Sequence, residues 1–120
     1  MKAILSPLSG AVLALFVATA GFAAPTPAPS DAAADAVVHI ANYAFKPPSV
    51  TIHTGQTVLF VNDDGDAHTV TANDKSFDSG GLDTHESWKH TFTKAGRYEY
   101  FCALHPYMKA VVIVTAPSAN

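Results

Sequence analysis

From residue 36 onward the chain alternates apolar and polar positions in short runs, each stopped by Gly, Pro, Asn or Asp. A period of two is the spacing of a strand with one face buried. Val37-Val38-His39-Ile40 and Val50-Thr51-Ile52-His53 read as two such strands. Between them, Pro47-Pro48 excludes helix and marks an edge or a bend. Thr54-Gly55 turns the chain into Gln56-Thr57-Val58-Leu59-Phe60-Val61, apolar on both faces as a central strand can be. The turn cluster Asn62-Asp63-Asp64-Gly65-Asp66 precedes His68-Thr69-Val70-Thr71, predicted as a further strand. A polar, glycine-bearing stretch from Ala72 to Asp83 follows, then a strand pattern from Glu86 to Thr93, with Trp88 and Phe92 on one face. Ala95-Gly96 leads into Arg97-Tyr98-Glu99-Tyr100-Phe101-Cys102, and Val111 to Thr115 closes the domain. Seven or so short strands joined by turns predict an all-β, antiparallel β-sandwich. The alternation puts Tyr98, Tyr100 and Cys102 on the inner face, so Cys102 points into one end of the core. Phe101, on the other face, needs cover from a loop or a sheet edge.

The residues before this pattern change the picture of where the protein works. Lys2 precedes a largely apolar run from Leu8 to Phe22, and small residues around Ala23 suit cleavage there. That is the layout of a secretory signal peptide. The expected organisation is signal peptide 1–23, flexible Ala/Pro-rich leader 24–35, domain 36–116 and tail 117–120. No later segment approaches the roughly 20 apolar residues of a membrane helix. The expected compartment is the periplasm. No twin arginine is present, so metal is expected to enter after export, and the absence of a cysteine in the signal region argues against lipid modification.

Cleavage after residue 23 of 120 leaves 97, enough for one small core. Six Lys and Arg then face ten Asp and Glu, a mildly acidic balance that argues against nucleic-acid binding. The single cysteine, Cys102, excludes an intramolecular disulfide. A lone thiol in an oxidising compartment is either buried and inert or held by a metal, and its neighbours decide between the two.

Those neighbours are His105 and Met108, at intervals of three from Cys102. Thiolate, imidazole and thioether within seven residues at a strand end make a loop that can curl round one ion. His68, just after a turn, can reach the same end of the sandwich. Two imidazoles and a thiolate with a weak axial thioether describe a type 1 blue-copper electron-transfer site. In that reading Cys102, His68 and His105 are equatorial and Met108 is axial. Four protein donors leave no open position for substrate, unlike a catalytic zinc site. The donors alone also admit zinc.

The segment resembles the small cupredoxins, and its ligand loop is similar to those of the amicyanin and plastocyanin group. The matching residues are Phe45-Lys46-Pro47, Val50-Thr51-Ile52, Gly55-Gln56-Thr57-Val58, Asn62, His68, Gly96 to Cys102, and His105-Pro106-Tyr107-Met108. The resemblance runs from Val37 to Thr115 and implies a Greek-key sandwich or barrel, one copper ion and electron transport. Thr69 and Ala103 depart from it: relatives often carry Asn or Ser after the first ligand histidine and Thr after the cysteine. Thr69 makes the tether to the cysteine loop an open point.

Taken one at a time, the other candidate groups have ordinary explanations. His39 and His53 lie in strand patterns. His85 and His90 are five apart in a strand context, which rules out the i, i+4 helical zinc motif. The acidic run 63–66 lacks calcium-loop spacing and reads as a turn. Leu104, Pro106 and Tyr107 surround His105 as a candidate apolar docking collar for a transient redox partner, either a dehydrogenase or a cytochrome, with the carrier itself a monomer. The leading expectation is an exported electron carrier and not an enzyme. The competing one is an exported copper-delivery protein, a class that favours exchangeable Met- or His-rich sites. An oxidase or reductase needs a second metal site or an open position, and the pattern contains neither.

Overall fold

The computed structural model describes residues 34–117, together with positions 3, 10, 14 and 21 of the preceding segment. Apart from those positions and from Ala34 and Asp35, the expected signal peptide and leader lie outside the described residues, as do 118–120 of the tail. Eight strands form: β1 (Ala36–Ala41), β2 (Ala44–Lys46), β3 (Ser49–His53), β4 (Thr57–Asn62), β5 (Thr71–Ala72), β6 (Ser87–Thr91), β7 (Gly96–Phe101) and β8 (Lys109–Thr115). They make two four-stranded sheets, ordered β2-β1-β4-β6 and β3-β8-β7-β5. No helix among the described residues is long and apolar enough to cross a membrane.

The expected sandwich is present, but its pairing is mixed rather than purely antiparallel. β1 runs parallel to β4, and β3 parallel to β8. Side-chain alternation reports which face a residue takes and says nothing of strand direction. The parallel pairs arise because the chain changes sheet at every connection from β2 to β7. Each returning strand therefore docks beside an earlier one instead of folding back as a hairpin.

The inner faces meet as the pattern predicts. Val38, Ile40, Val58, Phe60, Val70, Tyr100, Cys102 and Val112 are essentially inaccessible. Phe60 packs edge-on against Tyr100, with ring centroids 5.5 Å apart. Truncating a ring so placed costs about 3–5 kcal/mol through lost burial and the cavity left behind. Arg97 and Glu99 face solvent, and Phe101 is half-buried on that outer side.

Two expectations shift. His68-Thr69-Val70 is not strand: His68 makes only an isolated bridge to Leu82, and β5 is reduced to Thr71–Ala72. The ladder breaks because the Val70 N–H donates to the Ser79 side chain at 2.8 Å instead of to a backbone carbonyl. The polar stretch after Ala72 is no plain loop either. It carries Phe77, which inserts against Trp88, Phe92, Tyr98 and Tyr100 and closes the open side of the sandwich between β5 and β6.

Candidate metal centre

The spacing of three in the Cys102–Met108 loop has a structural cause. The His105 N–H donates to the Cys102 carbonyl at 3.2 Å, and the Met108 N–H to the His105 carbonyl at 2.9 Å. Each bond closes a four-residue turn, so the three donors occupy the corners of two consecutive turns. Pro106 takes the second position of the latter turn, where its fixed φ suits. A third bond, from the Cys102 N–H to the Met108 carbonyl at 3.2 Å, ties the loop ends together as β7 gives way to β8.

The turn after β4 delivers the upstream histidine to the same place. His68 Nδ1 and His105 Nδ1 each lie 3.6 Å from Cys102 Sγ. The three donor atoms all fall within 4.8 Å of one another. Thiolate and imidazole bonds of about 2.3 and 2.0 Å, as in zinc sites, span about 3.5–3.8 Å at angles from tetrahedral to trigonal. The observed separations match, so these residues fit a single ion. Cys102 and His68 are fully buried, and His105 is partly exposed. Met108 is 3 % exposed and belongs to the same buried cluster as Cys102. Leu104 and Tyr107 are 56 % and 67 % exposed, and Pro106 is exposed beside them.

Cys102 and His68 are each held by a neighbour outside the ligand loop. The backbone N–H of Thr69 points at Cys102 Sγ from 3.3 Å and fixes the direction in which the sulfur faces. The Thr69 hydroxyl accepts from the Ala103 N–H at 2.7 Å, which answers the open point about the tether: threonine supplies it. His68 pairs with Leu82 through both backbone bonds, and its Nε2–H donates to Asp64 Oδ2 at 2.8 Å. With the proton on Nε2, Nδ1 keeps its lone pair toward the sulfur, the arrangement an outer carboxylate imposes on a ligating histidine.

Sequence reasoning missed two residues here. Asp64 was expected to be only a turn residue, yet its carboxylate accepts from the His68 ring and from the backbone N–H groups of Asn42 and Tyr43. Burial pushes this carboxyl upward, but the two backbone bonds and the His68 ring outweigh it and hold the group below the usual carboxylate range. Its position four before a candidate ligand was the available signal. Tyr43 carried no signal. Its ring stands edge-on to His68 and His105 at 5.6 and 5.2 Å, and its hydroxyl donates to Asp66. The remaining histidines stay apart from this centre. His39 pairs with Asp63, His53 lies beside Thr115, and His90 stacks on Trp88.

Comparison with known proteins agrees with the geometry. Residues 11–114 match the model of the cupredoxin-like domain family. Amicyanin from Paracoccus versutus is 37 % identical over 93 residues, covering 72 % of this chain and 70 % of that protein. Amicyanin from Paracoccus denitrificans is 32 % identical over 122 residues, covering 91 % and 93 %. Among solved structures, the copper-containing nitrite reductase of Thermus scotoductus superposes with a TM-score of 0.65 at 32 % identity. That likeness covers 69 % of this chain and only 23 % of the reductase. From the sandwich, the gathered thiolate and imidazoles and these relatives together, the chain belongs to the cupredoxin-like family, and its cofactor is one copper ion.

Proposed function

We propose that the protein is an exported, periplasmic electron carrier whose copper would be held by His68, Cys102, His105 and Met108. The observation that carries this reading is the pair of 3.6 Å separations between a fully buried thiol and two imidazole nitrogens. Copper bound there would supply one-electron storage, and Met108 and the surroundings of the Cys102 sulfur would tune its potential. Cys102 and His68 keep the centre away from water, and His105, the partly exposed donor, is the point of contact with a partner. The Met108 thioether, at the loop's second turn, would complete a donor set with no position for a substrate.

Leu104, Pro106 and Tyr107 form an exposed apolar collar beside His105, suited to brief docking with a dehydrogenase or cytochrome. Exposed Asp63 and Asp66, in the turn before His68, give that end an acidic rim and favour a partner with basic residues round its own cofactor. Leu104→Ala and Pro106→Ala should slow reaction with the partner while leaving the visible spectrum in place. Unchanged rates in both would remove the docking assignment.

The competing reading is copper delivery. The single methionine of the described domain and the inaccessible thiol disfavour an exchangeable site. Likeness to a nitrite reductase extends to under a quarter of that enzyme and supports a shared domain rather than shared catalysis. Addition of Cu(II) to the purified protein separates these readings. An intense blue or green colour that bleaches reversibly with ascorbate is the expected result. Colourless metal that a chelator readily strips would favour delivery and reject the carrier.

A further inference from the structure

The β1–β2 hairpin turns on Asn42 and Tyr43, both in the left-handed region, with φ of 52° and 57°. Two-residue turns of this kind match the twist of paired strands, and asparagine accepts them readily. Tyrosine does not, because its β-carbon crowds the backbone at positive φ. A residue that costs backbone energy at the mouth of a site invites a functional explanation.

Three contacts clamp it there. Asp64 Oδ1 accepts the Asn42 N–H at 2.7 Å, and Oδ2 accepts the Tyr43 N–H at 2.9 Å. The Tyr43 hydroxyl donates to Asp66. Asp64 also receives the His68 ring proton, so hairpin tip and histidine share one carboxylate. So fixed, the Tyr43 ring lies edge-on to His68 and His105, at interplanar angles of 83° and 75°. It touches both imidazoles, which are themselves 4.8 Å apart.

The two histidines differ in what else secures them. His68 has Asp64 and the Leu82 bridge. The His105 ring has, among the described residues, only the sulfur as a polar neighbour, so packing must set its orientation. Its aromatic neighbours besides His68 are Tyr43 and Tyr107, 5.2 and 6.1 Å away, and Tyr107 is the more exposed.

We propose that Tyr43 is a positioning residue of the copper site: its ring, clamped through Asp64 and Asp66, holds the His105 imidazole beside Cys102 and covers both imidazoles against water. This rests on the copper reading given above. Tyr43→Gly is the informative variant, because glycine suits the left-handed turn and preserves the hairpin while deleting the ring. Tyr43→Phe keeps the ring and removes only the tie to Asp66. In copper-loaded protein, Tyr43→Gly should stay blue yet lose copper to a chelator at least tenfold faster than wild type. In the Cu(I) form the ring resonances of His105 should broaden or average in that variant while those of His68 stay sharp. Tyr43→Phe should fall between the two in both readouts, and nearer to wild type. Thermal unfolding of Tyr43→Gly at or above the wild-type midpoint would separate positioning from a general loss of fold. Wild-type release kinetics and sharp His105 signals in a blue Tyr43→Gly protein overturn the proposal and leave the copper reading standing. A wild-type protein that never turns blue overturns both.

Discussion

Thr69→Val tests whether a single hydroxyl tethers the ligand loop to the rest of the domain. The Thr69 oxygen accepts the Ala103 N–H at 2.7 Å and lies 2.9 Å from the Thr71 hydroxyl, which in turn donates to Asp78 at 3.2 Å. Since Ala103 and Asp78 fix the two ends, the protons order themselves: Thr69 donates to Thr71. Valine matches the shape of threonine and deletes the middle of this chain. Leaving a donor without its partner costs about 1–3 kcal/mol when water is excluded. Ala103 is exposed, and water can reach its N–H in part, so the lower half applies, about 1–2 kcal/mol in total. For a domain of this size each kcal/mol moves the midpoint by roughly 4–8 °C. Urea unfolding of metal-free protein is the assay, because bound metal would add its own stabilisation. The midpoint should fall with the slope unchanged. Amide exchange at Ala103 should accelerate in Thr69→Val but hold in Thr69→Ser, which keeps the oxygen. A valine variant within about 0.5 kcal/mol of wild type, with Ala103 still protected, would refute the tether.

The remaining expectations can be checked with equally direct measurements. Cys102→Ser should abolish the intense visible band, and Met108→Leu should keep it while raising the potential in voltammetry; a blue serine variant would overturn the ligand assignment. Tyr100→Phe should be neutral or stabilising, by up to about 1–2 kcal/mol, because the Tyr100 hydroxyl is buried without a partner and its removal discards a desolvated group. A lower urea midpoint for that variant would show the hydroxyl to be satisfied after all. His90 lies half-buried against Trp88 and Phe77, and that burial pushes its pKa below the ordinary imidazole value. Its neutral form is therefore the one the fold prefers. The stability this contributes is complete above the unfolded imidazole value, near about 6.5, and is lost as pH falls from there through the folded value. His90→Gln should flatten the stability profile on that acidic limb, and an unaltered slope would assign the loss to other groups.

What the sequence made legible was the part governed by local rules. Alternation along Arg97 to Cys102 assigned Tyr100 and Cys102 to the core because side-chain facing has a strict period of two. The donor spacing in 102–108 was equally legible, since consecutive turns repeat every three residues. Strand direction was not: nothing in Val37 to Ile40 states that its neighbour will be Val58 to Asn62 running the same way. The strand expected at His68 failed for a related reason. Its β-branched neighbours fit a ladder, but the segment opposite offered the Ser79 side chain where a carbonyl was needed. Asp64 and Tyr43 were hidden because their roles depend on the β1–β2 hairpin and the turn after β4 meeting in space, across more than twenty positions of chain.

That meeting bears on why the centre suits electron transfer. A change of one charge on a metal is slowed by whatever the donors must do to adjust, so a carrier benefits when each donor is fixed by something other than the metal. Cys102 is fixed by the Thr69 N–H and by the bond that closes its own loop. His68 is fixed by Asp64 and Leu82, and His105 by its turn and the ring of Tyr43. The anchors come from the β1–β2 hairpin, the turn after β4, the segment after His68 and the strap around Leu82, not from the ligand loop alone. Substituting the loop residues that face solvent should therefore alter which partner binds more than how the donors stand. Substituting the anchors should do the reverse. The contrast between Leu104→Ala and Thr69→Val, measured on partner kinetics and on loop protection in the same preparation, puts that division of labour to a direct test.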